Sequence, residues 1–180
     1  MNGLNNNGKL RLLSLFSGIG AFERALENIG CDFEIVRYCE IDRPASKAYS
    51  LMHDVPEELN LWDVTKVNDI PPDIDMVTYG FPCQDISAIG NKRGFTHEGQ
   101  STRSGLFFEA LRIIEKAKPK YAIAENVRNL VTNRFEREFQ TVLSSLDDAG
   151  YNSYWKVMNA KEFGIPQERE SDYRQHKEGC

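Results

Sequence analysis

Apolar residues fall into two patterns along the chain: short dense runs, and longer stretches in which they recur every three or four positions. The dense runs are Leu10 to Phe16, Phe33 to Tyr38, Ile74 to Tyr79, Tyr121 to Ala124 and Tyr151 to Met158. Their length and composition predict buried strands. The periodic stretches predict helices over about residues 21–29, 44–53, 106–116 and 135–149. Phe107, Ala110, Leu111 and Ile114 share one face of the third, and Phe139, Val142, Leu143 and Leu146 one face of the fourth. Gly30 and Gly150 suit left-handed stops, Pro44 suits a first turn and Pro119 ends the third helix. Strand and helix alternate, the order of an α/β domain with a mostly parallel sheet.

At 180 residues, with 41% hydrophobic and 27% charged residues, the chain suits one soluble domain with a full core. No apolar run approaches the ~18 residues of a membrane span, and residues 1–8 read as a loose tail without a leader pattern. The expected location is the cytoplasm. The four cysteines form no C-x-x-C pair and only three histidines are present, so reduced thiols are expected and no metal site. A net charge of −5 argues against a general nucleic-acid binder, although Lys92, Arg93, Arg103 and Arg112 follow one another closely.

Chemistry-bearing residues gather where predicted strands end, the edge at which open α/β sheets bind ligands. After the first strand, Ser17-Gly18-Ile19-Gly20 leads into a helix, and its glycines would let a ligand lie against the backbone. A dinucleotide fingerprint would want a third glycine near Glu23, and an ordinary turn fits equally well. Glu40 follows Gly20 by twenty residues, the place of an acid that takes ribose hydroxyls; a solvated loop carboxylate is the plain alternative. Asp63 could hold an adenine amino group or cap a turn. Cys83, in Gly80-Phe81-Pro82-Cys83-Gln84, follows a strand as a nucleophile would, although a lone cysteine is more often a small buried hydrophobe. The basic, glycine-punctuated stretch from Asp85 to Arg103 suits either phosphate contacts or a solvated loop. Glu125-Asn126-Val127 is expected to emerge from the end of the Tyr121 to Ala124 strand as Cys83 does from its own.

The order and spacing of these motifs resemble the DNA cytosine methyltransferases that act on carbon 5 of the base, from about Leu10 to Arg169. The resemblance implies a Rossmann-like fold and S-adenosylmethionine as cofactor. It assigns Phe16, Gly18, Ile19 and Gly20 to the cofactor loop, Glu40 to the ribose and Asp63 to the adenine, with Ile41, Pro82 and Leu106 enclosing them. Cys83 becomes the nucleophile, Glu125 the carboxyl that holds the cytosine, and Arg169 the arginine that steadies the base. Ser87, Lys92, Arg93 and Arg103 suit contacts to double-stranded DNA around a flipped base, whose extrusion costs a few kcal/mol. A bacterial or phage restriction-modification setting is implied.

Past Arg169 the resemblance stops. The family's second arginine would fall at Ser171, and residues 171–180 are polar and aperiodic, without the strand expected next. Target-recognition and final cofactor segments are not matched. A frame slip in the gene is one source of such a tail, and a split enzyme completed by a second chain is another. The strand from Tyr151 to Met158 would then lack its neighbour, predicting self-association or marginal stability, with weak cofactor binding and little activity alone. A non-catalytic nucleotide- or DNA-binding remnant is the competing reading. A Cys-dependent hydrolase lacks a partner base, since His53 and His97 read as polar loop residues.

Overall fold

The leucine-rich run at residues 10–15 is the buried axis of the first of two units. The structure is a computed structural model and describes residues 8–82, 96–97, 100–101, 103–164, 166 and 170–178. In β1 (Leu10–Leu15), Leu12, Leu13 and Leu15 are buried, as in a strand covered on both faces. It lies between β2 (Phe33–Cys39) and β3 (Met76–Tyr79) and runs parallel to both. Parallel neighbours need crossovers. Those between β1 and β3 include α1 (Ala21–Asn28) and α2 (Arg43–His53).

Local chemistry sets the helix ends. Gly30, at φ 71, stops α1, and the Asp42 side chain accepts from Ala45 N at 2.8 Å to open α2. Tyr38 of β2 stacks on Tyr49 of α2 with ring centroids 4.2 Å apart. The dense run at 74–79 yields only four paired residues. Asp75 just before them is tied on both sides: its N–H donates to the Arg11 carbonyl at 2.9 Å, its carboxylate accepts from Arg11 N at 2.9 Å, and its carbonyl accepts from Tyr121 N at 3.1 Å.

The first unit comprises Met1–Gly80 and Arg112–Ala122, and the second Phe81–Leu111 and Ile123–Cys180. Helix α3 (Phe107–Ala117) begins in the second and ends in the first. Within the first unit Arg112 donates to the carbonyls of Val67, at 2.7 Å, and Val64, at 3.1 Å. The sequence groups this arginine with the loop cations, but here it fastens the segment that carries Asp63.

In the second unit two short strands, β4 (Thr96–His97) and β5 (Gln100–Ser101), pair antiparallel. A strand β6 (Tyr121–Val127), a helix α4 (Glu136–Asp148) and two further strands, β7 (Tyr151–Asn159) and β8 (Glu170–Glu178), complete the chain. Phe139, Val142 and Leu146 form the buried face of α4, and Phe139 meets Trp155 of β7 edge-on at 5.2 Å.

Two sequence expectations are corrected here. Residues 170–178 do form a strand: β8 lies between β6 and β7, antiparallel to β7 from the pair Tyr151↔Glu178 to Asn159↔Glu170. Hydrophobic periodicity reports side-chain burial, whereas ladder pairing needs only backbone N–H and C=O groups, and this segment has no proline. β7 therefore has the neighbour that the sequence reading denied it, and the stated cause for self-association is gone. Second, β6 runs on through Glu125 to Val127, so the glutamate stands within a strand and not beyond its end. Asn126 is buried yet satisfied, its Nδ2 donating to the Phe81 carbonyl at 3.3 Å and its Oδ1 accepting from Val127 N at 2.8 Å. A polar residue with its hydrogen bonds made does not end a strand.

Candidate active site

At the carboxyl end of β1 the chain turns sharply through residues in the left-handed region. Phe16 has φ 54, Gly18 φ 55 and Gly20 φ 86, the last as N-cap of α1. Ser17 N donates to the Cys39 carbonyl at 3.1 Å, which ties the turn to the end of β2. The Glu40 carboxylate then accepts from Gly18 N at 2.9 Å through Oε2 and from Asp42 N at 2.7 Å through Oε1. Each oxygen keeps a second lone pair for a ligand.

Gly20 has no room for a side chain. A Cβ there would stand 1.9 Å from His53 Nε2. His53 closes α2 with its side chain only 1% exposed, and its Nε2 donates to the Ile19 carbonyl at 3.1 Å. Its Nδ1 faces Glu27 Oε1 at 3.4 Å, and its ring packs on Tyr49 with centroids 4.8 Å apart. The polar-loop reading of His53 is thus wrong: the residue props the glycine turn from beneath. Glu23, where a dinucleotide fingerprint would place glycine, is fully buried and accepts from Tyr49 OH at 2.8 Å.

A second strand end is fastened to the first by Asn60. Its Oδ1 accepts from Glu40 N at 3.0 Å and Trp62 N at 2.8 Å, while its Nδ2 donates to the Glu40 carbonyl at 2.9 Å and Ser46 Oγ at 2.8 Å. Leu61 N donates to the Tyr38 carbonyl at 2.7 Å, laying residues 60–63 beside the end of β2. The Cys39 thiol donates to the Trp62 carbonyl at 2.9 Å and is pushed up to about 12, mainly by burial and then by the Glu40 and Asp63 charges. Asp63 Oδ1 accepts from Thr65 N at 3.1 Å and Thr65 Oγ1 at 2.7 Å, and these bonds lower its pKa. Asp63 therefore caps a turn, on the segment laid beside the end of β2. Three apolar side chains are left in solvent on these strand-end segments: Ile41 at 70%, Ile19 at 54% and Trp62 at 40% exposure.

Seven sequence-predicted residues thus meet in the first unit: Phe16, Gly18, Ile19, Gly20, Glu40, Ile41 and Asp63. In the second unit, Phe81 packs on Phe107 with ring centroids 5.5 Å apart, and Pro82 beside it is half-buried. Leu106, also half-buried, ends the turn Arg103–Leu106, in which only the backbone of Arg103 is described. Glu125 is half-buried on the β6 face opposite Asn126. Cys83, Gln84, Ser87, Lys92, Arg93, Gln167 and Arg169 lie outside the described residues.

Sequence reasoning missed Asn60, Trp62, His53 and Glu23. Only Glu23 carried a signal, as a charged residue inside an otherwise fitting glycine motif.

A parallel β2-β1-β3 arrangement with a glycine turn, and acids at the next two strand-end segments, defines a nucleotide-type α/β site. Residues 10–171 match the model of the C-5 cytosine-specific DNA methylase family, and the chain belongs to that family. It is 39% identical over 167 residues to the orphan methyltransferase M.SPRI of Bacillus phage SPR, covering 92% of this chain and 37% of that protein. To the type II methyltransferase M.HhaI of Haemophilus parahaemolyticus it is 37% identical over 166 residues, covering 91% of this chain and 48% of the relative. The chain thus spans less than half the length of these curated relatives. Its fold is similar to that of S. pombe Dnmt2 methyltransferase, with a TM-score of 0.69 at 24% identity over 96% of this chain and 50% of the other.

Proposed function

We propose that this chain is the cofactor-binding and nucleophile-bearing part of an enzyme that methylates carbon 5 of cytosine in double-stranded DNA, with S-adenosylmethionine as methyl donor. The observation that carries the reading is the bond from Gly18 N to Glu40 Oε2, at 2.9 Å, which fixes a carboxylate over the glycine turn. A carboxylate there suits the two ribose hydroxyls, Asp63 the adenine amino group, and the exposed Ile19 and Ile41 the flat faces of the base. Phe16, Gly18, Gly20, Pro82 and Leu106 complete the cofactor set. The cofactor, when bound, supplies an electrophilic sulfonium methyl group.

The remaining chemistry belongs to the protein. The Cys83 thiolate adds to carbon 6 of the flipped cytosine, which makes carbon 5 nucleophilic. Glu125, as the acid, donates to ring nitrogen 3 and relieves the charge that addition creates. Once carbon 5 carries the methyl group, its proton leaves and the thiolate is expelled. Arg169 steadies the base, while Ser87, Lys92, Arg93 and Arg103 hold the DNA backbone. A second chain carrying a target-recognition region is the proposed partner for sequence-specific contacts in the groove.

Calorimetric titration of the 180-residue chain with S-adenosylmethionine tests the cofactor reading. Saturable heat that Glu40→Ala abolishes is expected, and heat unchanged by that substitution refutes the assignment of Glu40. Cofactor-dependent covalent capture on duplex DNA containing 5-fluorocytosine, lost in Cys83→Ser, tests the nucleophile. Capture that survives Cys83→Ser removes it.

A further inference from the structure

We propose that Trp62 is an aromatic wall of this site, its indole lying against the purine of the adenosyl group held between Glu40 and Asp63. The inference rests on reading the edge as an S-adenosylmethionine site and adds a residue to it. The backbone gives the first reason. Trp62 has φ 60, a region that bulky side chains avoid and glycine enters freely. Such a conformation persists only where the surroundings over-determine it, and it is concentrated at functional sites. Here the bond from Trp62 N to Asn60 Oδ1, at 2.8 Å, and the bond from the Cys39 thiol to the Trp62 carbonyl, at 2.9 Å, hold the residue on both sides of its Cα.

Packing does not explain why a tryptophan is kept in that position. Its side chain is 40% exposed, while Asn60 and Val64 on either side are buried. Chemistry of the neighbours supplies the third reason. Asp63 follows Trp62 directly, and Asn60 links Trp62 N and Glu40 N through a single oxygen. Apolar surface flanked by two carboxylates fits a ligand with a flat aromatic face and hydrogen-bond donors at both ends. A purine nucleoside, with an amino group on the base and hydroxyls on the sugar, has that form. Stacking of a base on an aromatic side chain then contributes affinity without demanding a particular hydrogen bond.

The chain has two tryptophans, so Trp155→Phe leaves Trp62 as the sole indole. In that variant, S-adenosylhomocysteine should quench the emission saturably, with the same midpoint as the heat measured by calorimetry. Trp62→Phe should bind within a few-fold of the parent, and Trp62→Gly about 5- to 100-fold more weakly. Trp62→Leu, which keeps most of the apolar packing but removes the aromatic face, should also weaken binding while leaving the unfolding midpoint near that of Trp62→Phe. A purely structural tryptophan would move stability and affinity in the same direction. Heat of binding without quenching, together with parental affinity in Trp62→Gly, overturns the role of Trp62 and leaves the cofactor site standing. Absence of binding heat in the parent chain overturns the site and this proposal together.

Discussion

Replacing Gly20 by alanine is the sharpest perturbation of the glycine turn after β1, because two independent costs meet at one atom. At φ 86 a residue with a Cβ is strained, which costs about 1–2 kcal/mol. The added Cβ would also approach His53 Nε2 to 1.9 Å, Cδ2 to 2.7 Å and Cε1 to 2.9 Å. That ring cannot swing aside cheaply, since Ile19, Glu27 and Tyr49 hold it and its side chain is 1% exposed. Overpacking of this kind costs about 1–3 kcal/mol. Gly20→Ala should therefore lose about 2–5 kcal/mol, a large share of the ~5–15 kcal/mol typical of a domain.

Urea unfolding followed by circular dichroism measures the loss as a shift of midpoint at constant slope. A double-mutant cycle with His53→Ala separates the two costs. Removing the ring abolishes the clash but leaves the φ strain, so the double variant should be about 1–3 kcal/mol more stable than the sum of the single losses. Additivity to within about 0.5 kcal/mol would show that His53 does not pack against Gly20, and the account of the turn would fail.

Other expectations follow from the same geometry. Asn60→Leu keeps the branched skeleton but strips partners from Glu40 N, Glu40 O and Trp62 N, and should cost about 2–4 kcal/mol by chemical unfolding; Asn60→Asp, which keeps the acceptor, should cost less, and equal losses would contradict the bonding described. With the Cys39 thiol raised from its ordinary 9.0 to about 12, the folded state holds a proton that the unfolded state releases above about 9, so the Cys39 contribution is intact below that pH and falls between 9 and about 12. Cys39→Ser should flatten that alkaline decline, and alkylation of Cys39 in the native protein at pH 8 should be negligible; rapid labelling there would refute its burial. In β7, the last strand of the order β6-β8-β7, the amides facing β8 pair with it antiparallel, and these should be protected from hydrogen exchange along residues 151–159. Uniformly fast exchange would remove β8 from the fold.

Much of the first unit was legible because β1 and β3 are buried on both faces and the turn after β1 uses glycine at positive φ. Runs such as 10–15 and 33–38 read plainly as strands, and the end of the second brings Glu40 to Gly18 N. What escaped was of another kind. Asn60 has no periodicity and no motif; its importance lies in four hydrogen bonds, three of them to Glu40 and Ser46, 20 and 14 residues away in the chain. His53 looked like a loop residue because burial at a helix end depends on what packs there, here Gly20. β8 was invisible to a search for apolar alternation, since backbone pairing with β7 defines it. The continuation of β6 through Asn126 was hidden because a buried amide is indistinguishable in sequence from an exposed one.

The tie from Arg112 to the Val64 and Val67 carbonyls bears on how the protein is born. These partners lie 48 and 45 residues apart in the chain. At about 5–20 residues per second of synthesis, the segment carrying Asp63 waits roughly 2–10 s for the arginine that fastens it. During that interval the first three strands can emerge while the Asp63 segment is held only from the β2 side, through Asn60, Leu61 N and the Cys39 thiol. The glycine turn and Glu40 can therefore take shape on the nascent chain before the Asp63 segment is locked from its other side, and a ribosome pausing before codon 112 would display the first strands with that segment half-fastened.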